Sequence, residues 1–343
     1  MSRAVVAVAH PNIALSKYWG KRDGLGNFPA VPSLSVTLEG MSTRTSVFFT
    51  DDLGEDRLVL DGVEMVGEPR ARATALLDRV RAASGDARRA HIVSRNDFPT
   101  ASGLASSASG FAALALAATR AAGLDWGAAR VSDLARRSSA SAARSLFGGF
   151  VELDAGELAP RESAVLSARA LAPADHLDLS VLVCVTTEAT KAIGSTSGMR
   201  HTAAQSPYHA AWLDSAPRLH AELRRALLAR DFAKVGELAE SSALAMHASA
   251  IAAGVVYWNA ATLALLAAVR ELRAGGVPAY ATIDAGPHVK VLARAKDIDA
   301  LERALAPLPG VLRVLRATPG GPARIVDDTE ADDARAEHEA SAP

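Results

Sequence analysis

The segment 96–111, which runs Asn-Asp-Phe-Pro-Thr-Ala-Ser-Gly-Leu-Ala-Ser-Ser-Ala-Ser-Gly-Phe, constrains this chain most. It places Gly103, Ala105, Ser106, Ser107, Ala108, Ser109 and Gly110 in front of an apolar run, 111–118, that reads as a helix. Residues this small let the first N–H groups of a helix approach an anion, and the helix dipole favours negative charge there. The hydroxyls of Ser106 and Ser107 add donors or hold a metal ion on a phosphate. The segment therefore reads as a cradle for a nucleoside triphosphate. It is not a Walker A loop, because no Gly-Lys-Ser/Thr follows. The same residues also suit a plain loop ahead of a well-packed, Ala-rich helix, and spacing alone does not separate the two.

A chain of 343 residues has room for about two domains, and its 49% hydrophobic content supplies a sizeable core. Lys plus Arg number 37 and Asp plus Glu 38, a net charge of -1, so no global basic bias points to nucleic acid. Cys184 is the single cysteine, which rules out an intramolecular disulfide and a cysteine metal cluster. It lies in the strand-like run 179–185 and reads as a buried, inert thiol. The chain starts with a strand-like run, 4–9, without a basic segment and signal core. Its apolar runs are too short or too interrupted to span a bilayer. The expectation is a soluble, cytoplasmic protein with no nucleic-acid or membrane partner.

Strands are expected over 4–9, 43–50, 57–60, 90–96, 150–153, 179–185, 279–284, 289–292 and 311–316, where β-branched residues or alternation dominate. Residues 30–37 read as a loop entering a further strand. Asp61-Gly62 marks a hairpin. Helical spacing covers 71–84, with Leu76, Leu77 and Val80 on one face. Further helices are expected over 133–137, capped by Ser132, and over 207–213, 217–229, 232–253, 260–274 and 298–305. Gly275-Gly276 stops one of them. Residues 327–343 read as a frayed acidic tail. Strands and helices do not alternate strictly, so the fold class is α+β.

Four other clusters carry candidate chemistry. In segment 12–22, Lys17 and Lys21 stand four apart, which a helical turn would bring to one face beside Tyr18. Two ammonium groups and a phenol there suit a phosphorylated acid; a solvated basic face is the alternative. In segment 136–149, Ser139 and Ser141 offer hydroxyls and Arg144 a planar fork for a carboxylate or phosphate; a polar connector is the alternative. Segment 191–200 is rich in hydroxyls, holds Lys191 and Arg200, and reads as a loop or helix start. In 282–290, Asp284 ends a strand ahead of a Gly-Pro turn. It is a candidate base or orienting carboxylate, and equally a turn-stabilising Asp. His288 reads as a satisfied surface imidazole, and His247 as a packed residue of an apolar helix.

Together these clusters closely resemble the diphosphomevalonate decarboxylase family of the GHMP kinase superfamily. The matching segments are 12–23, 32–37, 96–111, 139–149, 194–200, 245–248 and 284–287. The Lys-Tyr-Trp-Gly-Lys string and the Ser-x-Ser-x-x-Arg-Ser-Leu-Phe-Gly-Gly string are specific to that family. The chain departs from it at Ala140, where glycine is usual, and at His288, where asparagine is common. Ala140 lacks glycine's freedom at positive φ, so the loop must not need it.

The resemblance implies two domains, an N-terminal ribosomal S5-like ATP-binding half over 1–182 and a C-terminal ferredoxin-like half over 183–326, with the site between them, in a homodimer. It implies ATP-dependent decarboxylation of (R)-5-diphosphomevalonate to isopentenyl diphosphate, with Mg2+. Asp284 and Lys17 would be catalytic. Tyr18, Lys21, Ser139, Ser141, Arg144, Ser195 and Met199 would bind the substrate. Ser94, Asn96, Gly103, Ala105, Ser106, Ser107 and Ser109 would bind ATP, and Ser106 and Ser107 would hold the metal ion through its phosphates. The same superfamily includes a mevalonate 3-kinase and a phosphomevalonate decarboxylase. The full set of diphosphate anchors argues against both. A non-catalytic binding protein on this scaffold is expected to lack Asp284, Lys17 or the Ser106–Ser107 pair, and this chain keeps them all.

Overall fold

A computed structural model of the chain describes residues 4–22, 26–98, 106–155 and 165–326. Gly103 and Ala105 of the cradle and the tail 327–343 lie outside the described residues.

The first sheet contains β1 (Val5–Ala9), β4 (Thr43–Thr50), β5 (Arg57–Leu60), β6 (Val63–Met65), β7 (Arg89–Asn96) and β14 (Arg324–Ile325). Its order is β14-β1-β4-β7-β5-β6. Asp61 and Gly62 turn the β5–β6 hairpin with φ of 50° and 80°, the primed turn their sequence suggests. Helix α1 (Glu68–Ser84) buries Leu76, Leu77 and Val80 beneath this sheet, and starts three residues earlier than the apolar spacing alone suggests. Helix α2 (Ser106–Ala121) buries alanines on nearly every side, among them Ala112, Ala113, Ala115 and Ala117 at 0% exposure. Such small side chains let it lie close against the sheet and α3 (Ala128–Ser138). Its N-terminus, at Ser106, is thereby fixed in place.

The second sheet joins strands from both ends of the sequence. It holds β2 (Asn12–Ser16), β3 (Ser33–Glu39), β8 (Phe150–Leu153), β9 (Arg169–Ala172), β10 (Ser180–Val185), β11 (Tyr280–Ile283), β12 (Val289–Ala293) and β13 (Arg313–Pro319). The order is β11-β12-β10-β13-β3-β8-β9, with β2 also paired to β3. Gly149 is required where β8 begins. Its φ is 70°, and a Cβ there would collide with the Ala172 carbonyl. Helices α4 (Ser195–Gln205), α5 (His209–Leu228), α6 (Phe232–Ala252), α7 (Ala260–Ala274) and α8 (Ile298–Leu305) complete the chain. The class is α+β, as expected.

Four local expectations are corrected. Residues 12–16 form a strand and Lys21 bridges to Pro29, so no helical turn brings Lys17 and Lys21 to one face. Ser132 is no cap. It sits within α3, fully buried, donating to the Ala143 carbonyl at 2.9 Å and accepting from Ala168 N at 3.0 Å. Pro217 does not divide two helices. α5 runs through it, and the buried face of Trp212, Ala216, His220 and Leu223 outweighs a kink cost of about 3 kcal/mol. His288 is fully buried rather than on the surface, and its Nδ1 accepts from Thr186 N at 3.1 Å. Ala140 has no positive φ, so the missing glycine costs the loop nothing. Cys184 is buried in β10, and burial pushes its thiol up to about 12. Among the described residues no helix is long and apolar enough to cross a membrane.

Candidate active site

A cavity of about 830 Å3 opens between the N-terminus of α2, the 3-10 turn at Ala140–Leu146, the N-terminus of α4 and the end of β11. Every described candidate residue lines it except Ser109. Ser109 is fully buried, its hydroxyl 2.6 Å from Thr43 Oγ1, and its side chain belongs to the packing behind the cradle.

The catalytic candidates meet although they are 267 positions apart. Lys17 Nζ donates to Asp284 Oδ1 at 2.7 Å and to the Ala14 carbonyl at 2.8 Å. Burial lowers Lys17 to about 8, with Asp284 opposing the shift. Burial alone would raise Asp284, but the charges of Lys17 and Lys290 hold its carboxyl far below the ordinary range. The pair is therefore an ion pair at neutral pH.

Arg144 forms the next wall. It is 2% exposed and donates from Nη1 to Ser33 Oγ at 2.7 Å and from Nε to Ser35 Oγ at 3.0 Å. Its Nη2 also donates to Asn12 Oδ1 at 3.2 Å. Asn12 in turn donates to Ser145 Oγ at 2.7 Å, which fixes its oxygen toward the guanidinium. Burial lowers Arg144 to about 10. Ser139 and Ser141 place their hydroxyls 3.1 Å apart beside it. The Tyr18 hydroxyl is buried without a hydrogen-bond partner among the described residues, and burial pushes its pKa up. An orphaned donor on a cavity wall suits a ligand oxygen. Lys21 donates to Asn27 Oδ1 at 2.6 Å and to Thr196 Oγ1 at 3.0 Å. Burial lowers it to about 8, with Arg72 and Arg200 adding to the effect.

Ser195 opens α4 and accepts from Lys191 Nζ at 3.0 Å. Gly198 lets this helix settle on Trp19 and Tyr257, since a Cβ would strike the Tyr257 hydroxyl. That contact carries Ser195 and Met199 to the cavity beside Tyr18. Ser94 shares a 2.9 Å hydrogen bond with Thr45, and Asn96 Oδ1 accepts from Thr43 at 2.6 Å. Both border the cradle, where Ser106 and Ser107 begin α2. The helix starts at these serines, ahead of the apolar run 111–118 that marks it in sequence.

Sequence reasoning missed three parts of this site. Leu58, Leu60, Ile92 and Leu114 give the cradle an apolar floor, with the Arg72 guanidinium 4.7 Å from the Phe111 ring centroid. They read in sequence as ordinary core. Lys191 was visible in its cluster, but nothing local marks it as facing Asp284. Lys290 is a lone charge in an otherwise apolar strand, and that anomaly is the one local signal of its role.

Among the described residues, the lining cations Lys17, Lys21, Arg72, Arg144, Lys191 and Arg200 face two lining carboxylates, Glu68 and Asp284. The cavity is built for a polyanion. No group of three or more His, Cys, Asp or Glu side chains that could hold a metal ion occurs among the described residues. The hard oxygens of Ser106 and Ser107 fit Mg2+ carried on phosphate, with phosphate and water oxygens completing its ligands.

Residues 9–165 match the diphosphomevalonate decarboxylase-like N-terminal domain, and residues 181–315 the mevalonate 5-diphosphate decarboxylase C-terminal domain. The human diphosphomevalonate decarboxylase is 38% identical over 84% of this chain and 76% of its own length. The phosphomevalonate decarboxylase of Haloferax volcanii is 37% identical over 95% of this chain and 98% of its own. A solved structure described as MDDEF in complex with MVAPP, AMPPCP and magnesium superposes with a TM-score of 0.87 at 35% identity, covering 95% of this chain and 99% of that one. The fold is of the GHMP kinase type. With both halves matched and a cavity of this charge between them, the chain belongs to the diphosphomevalonate decarboxylase family.

Proposed function

We propose that the protein decarboxylates (R)-5-diphosphomevalonate with ATP, giving isopentenyl diphosphate, CO2, ADP and phosphate, as a step of isoprenoid synthesis from mevalonate. The observation that carries this reading is the Lys17–Asp284 ion pair set beside lining cations that outnumber the lining carboxylates among the described residues. The solved relative's ligands, MVAPP with a nonhydrolysable ATP analogue and magnesium, agree with it.

The chemistry follows from the residues. A tertiary hydroxyl is a poor leaving group, and phosphorylation makes it a good one. Asp284 orients the C3 hydroxyl and takes its proton while the oxygen bonds to the γ-phosphorus and the bond to ADP breaks. Lys17 meets the charge on the transferred group. The C3–O bond then breaks, phosphate leaves, and the bond to the carboxylate breaks to release CO2. The electrons of that bond form the alkene. Arg144, Ser139, Ser141, Tyr18 and Lys21 hold the polyanionic substrate in line, and Ser195 and Met199 close its other side. Ser106, Ser107, Ser94 and Asn96 hold the nucleotide. Mg2+, held through phosphate by Ser106 and Ser107, would neutralise charge on the β- and γ-phosphates.

A second reading is decarboxylation of the 5-monophosphate. It is favoured by the near full-length match to the Haloferax volcanii relative of that name. The five anchors on one wall favour the diphosphate. The deciding assay incubates the protein with Mg-ATP and mevalonate, its 5-phosphate or its 5-diphosphate, and follows CO2 and ADP. CO2 from the diphosphate alone is expected. CO2 from the monophosphate alone selects the second reading, and ADP without CO2 from any of the three makes the protein a kinase.

The domain division near residue 182 belongs to the same reading, and the gap between the two matched domains, 165 to 181, supports it. So do a cytoplasmic location and a homodimer, the second of which rests on the family resemblance. Light scattering at working concentration tests the dimer.

A further inference from the structure

Asp284 is approached from two sides. Lys17, just past β2, reaches Oδ1 at 2.7 Å and lines the cavity. Lys290, the second residue of β12, reaches Oδ2 at 3.2 Å and does not line the cavity. Thr282 and Lys290 are register partners between β11 and β12, so they share a sheet face. Asp284, two residues beyond Thr282, continues along that face. Tyr280 and Leu292 lie on it too, within the core cluster that includes Val235, Leu238 and Ala239 of α6. Lys290 is thus a 2% exposed cation planted in a sheet interior, with Val183 of β10 as its neighbour on the other side. A charge there is costly unless it is paired. An apolar side chain would satisfy the packing at no such cost.

We propose that Lys290 is a positioning residue for Asp284, holding its second carboxylate oxygen from behind the cavity wall. Lys17 is then able to leave Asp284 and follow the transferred phosphoryl group without freeing the carboxylate to rotate. The two lysines divide the work: one faces the reactants, the other never touches them. This rests on the functional reading above. Other charged or titratable groups also face Asp284. Lys191 donates to the neighbouring Ala285 carbonyl at 3.2 Å, and Arg144 acts across the cavity. His247 of α6, fully buried beside Asp284, is lowered by burial to about 3 and is neutral at working pH. None of these reaches Asp284 Oδ2 as Lys290 does.

The test is a pH–rate profile of Lys290→Met, which keeps the stem and removes the charge, with Lys290→Arg as the charge-keeping control. Lys290→Met is expected to lose kcat by about 10- to 100-fold, with KM for both substrates within about twofold. Its acidic limb should move up by a pH unit or more, because one of two compensating charges is gone. Lys290→Arg should recover most of kcat and the wild-type limb. Wild-type kcat and limb in Lys290→Met overturn the proposal. So does a fall in kcat with an unmoved limb and no rescue by arginine, the mark of a merely structural role. If circular dichroism shows Lys290→Met unfolded, Lys290→Gln replaces it under the same criteria. A second readout needs no turnover: the Asp284 carboxyl is titrated by 13C NMR in aspartate-labelled protein, assigned by its loss in Asp284→Asn. A raised midpoint in the neutral variant supports the clamp, and an unchanged one overturns it. Absence of CO2 from wild type with every substrate overturns the functional reading alone.

Discussion

Lys17 and Arg144 occupy the same cavity and are equally buried, at 2% exposure each, yet their charges are met in opposite ways. Lys17 is neutralised by Asp284 at 2.7 Å before any ligand arrives. Among the described residues, Arg144 hydrogen-bonds neutral oxygens alone, those of Asn12, Ser33 and Ser35. Under the proposed function the difference separates two tasks. A corner that must move a proton and a phosphoryl group is best preorganised as a closed ion pair, with its charges already in place. A wall that must attract a polyanion is best left with charge uncompensated, since its partner is the ligand itself. Neutral hydrogen bonds orient the guanidinium without cancelling it.

The sharpest way to break this comparison is Asp284→Asn. The variant is nearly isosteric and should fold and bind Mg-ATP as wild type does. Its CO2 release should fall by roughly three orders of magnitude or more, the scale of losing an essential acid–base group. Turnover near wild type in purified protein would remove the corner from the chemistry.

Arg144→Ala addresses the wall. Losing a charge-assisted contact costs about 1.5–3 kcal/mol, roughly 10- to 150-fold in substrate affinity or turnover. Nucleotide binding, measured separately by calorimetry, should change by less than about twofold. Equal weakening of both ligands would put this arginine on the nucleotide side and erase the contrast with the cradle.

A milder effect comes from pH. Burial lowers both Lys21 and Lys17 to about 8, so each is charged below that pH and neutral above it. Substrate KM should rise through about pH 8 as Lys21 loses its proton, and kcat should fall over the same range through Lys17. Lys21→Arg should move the KM limb upward and leave the kcat limb where it is. If both limbs move together, the two lysines do not have separate roles.

The smallest effect concerns stability alone. Ser16, next to Lys17, bonds His220 Nδ1 at 2.9 Å, and His220 Nε2 lies 2.8 Å from Glu152. This series has the connectivity of a catalytic triad, but Ser16 is 3% exposed and accepts from Leu34 N at 2.8 Å. It is a structural tie between β2, β8 and α5. The His220 hydrogen bond lowers Glu152 to about 2, with burial opposing and Arg169 assisting. A depressed carboxyl stabilises the fold above its unfolded pKa, and that share is lost as pH falls from about 4.5 toward about 2. Glu152→Gln should therefore flatten the dependence of Tm on pH in this window while leaving kcat at neutral pH within about twofold.

Much of the secondary structure was legible because its signals are local. Helix α7 runs Ala260–Ala274, and the Asn259–Thr262 capping box at its start is written in adjacent residues. Helix α8 runs Ile298–Leu305, with Leu301 and Leu305 buried four apart. The Asp61-Gly62 hairpin needs only two residues with positive φ. Where local signals misled, tertiary burial won: it drew α5 through Pro217 and satisfied the Ser132 hydroxyl inside α3.

For the site, sequence determined which chemical groups are available: the cradle serines, the Ser139–Arg144 cluster, Lys17 and Asp284. Residue type and short spacing carry that information. Only the tertiary structure decided how they are used. Asn12, Ser33 and Ser35 come from two strands to orient Arg144. Lys17 and Lys290 converge on Asp284 from β2 and β12. The reason is physical. A side chain's pKa and its partner depend on burial and on charges within a few ångströms, and the two lysines that meet Asp284 lie 6 and 267 positions from it in sequence.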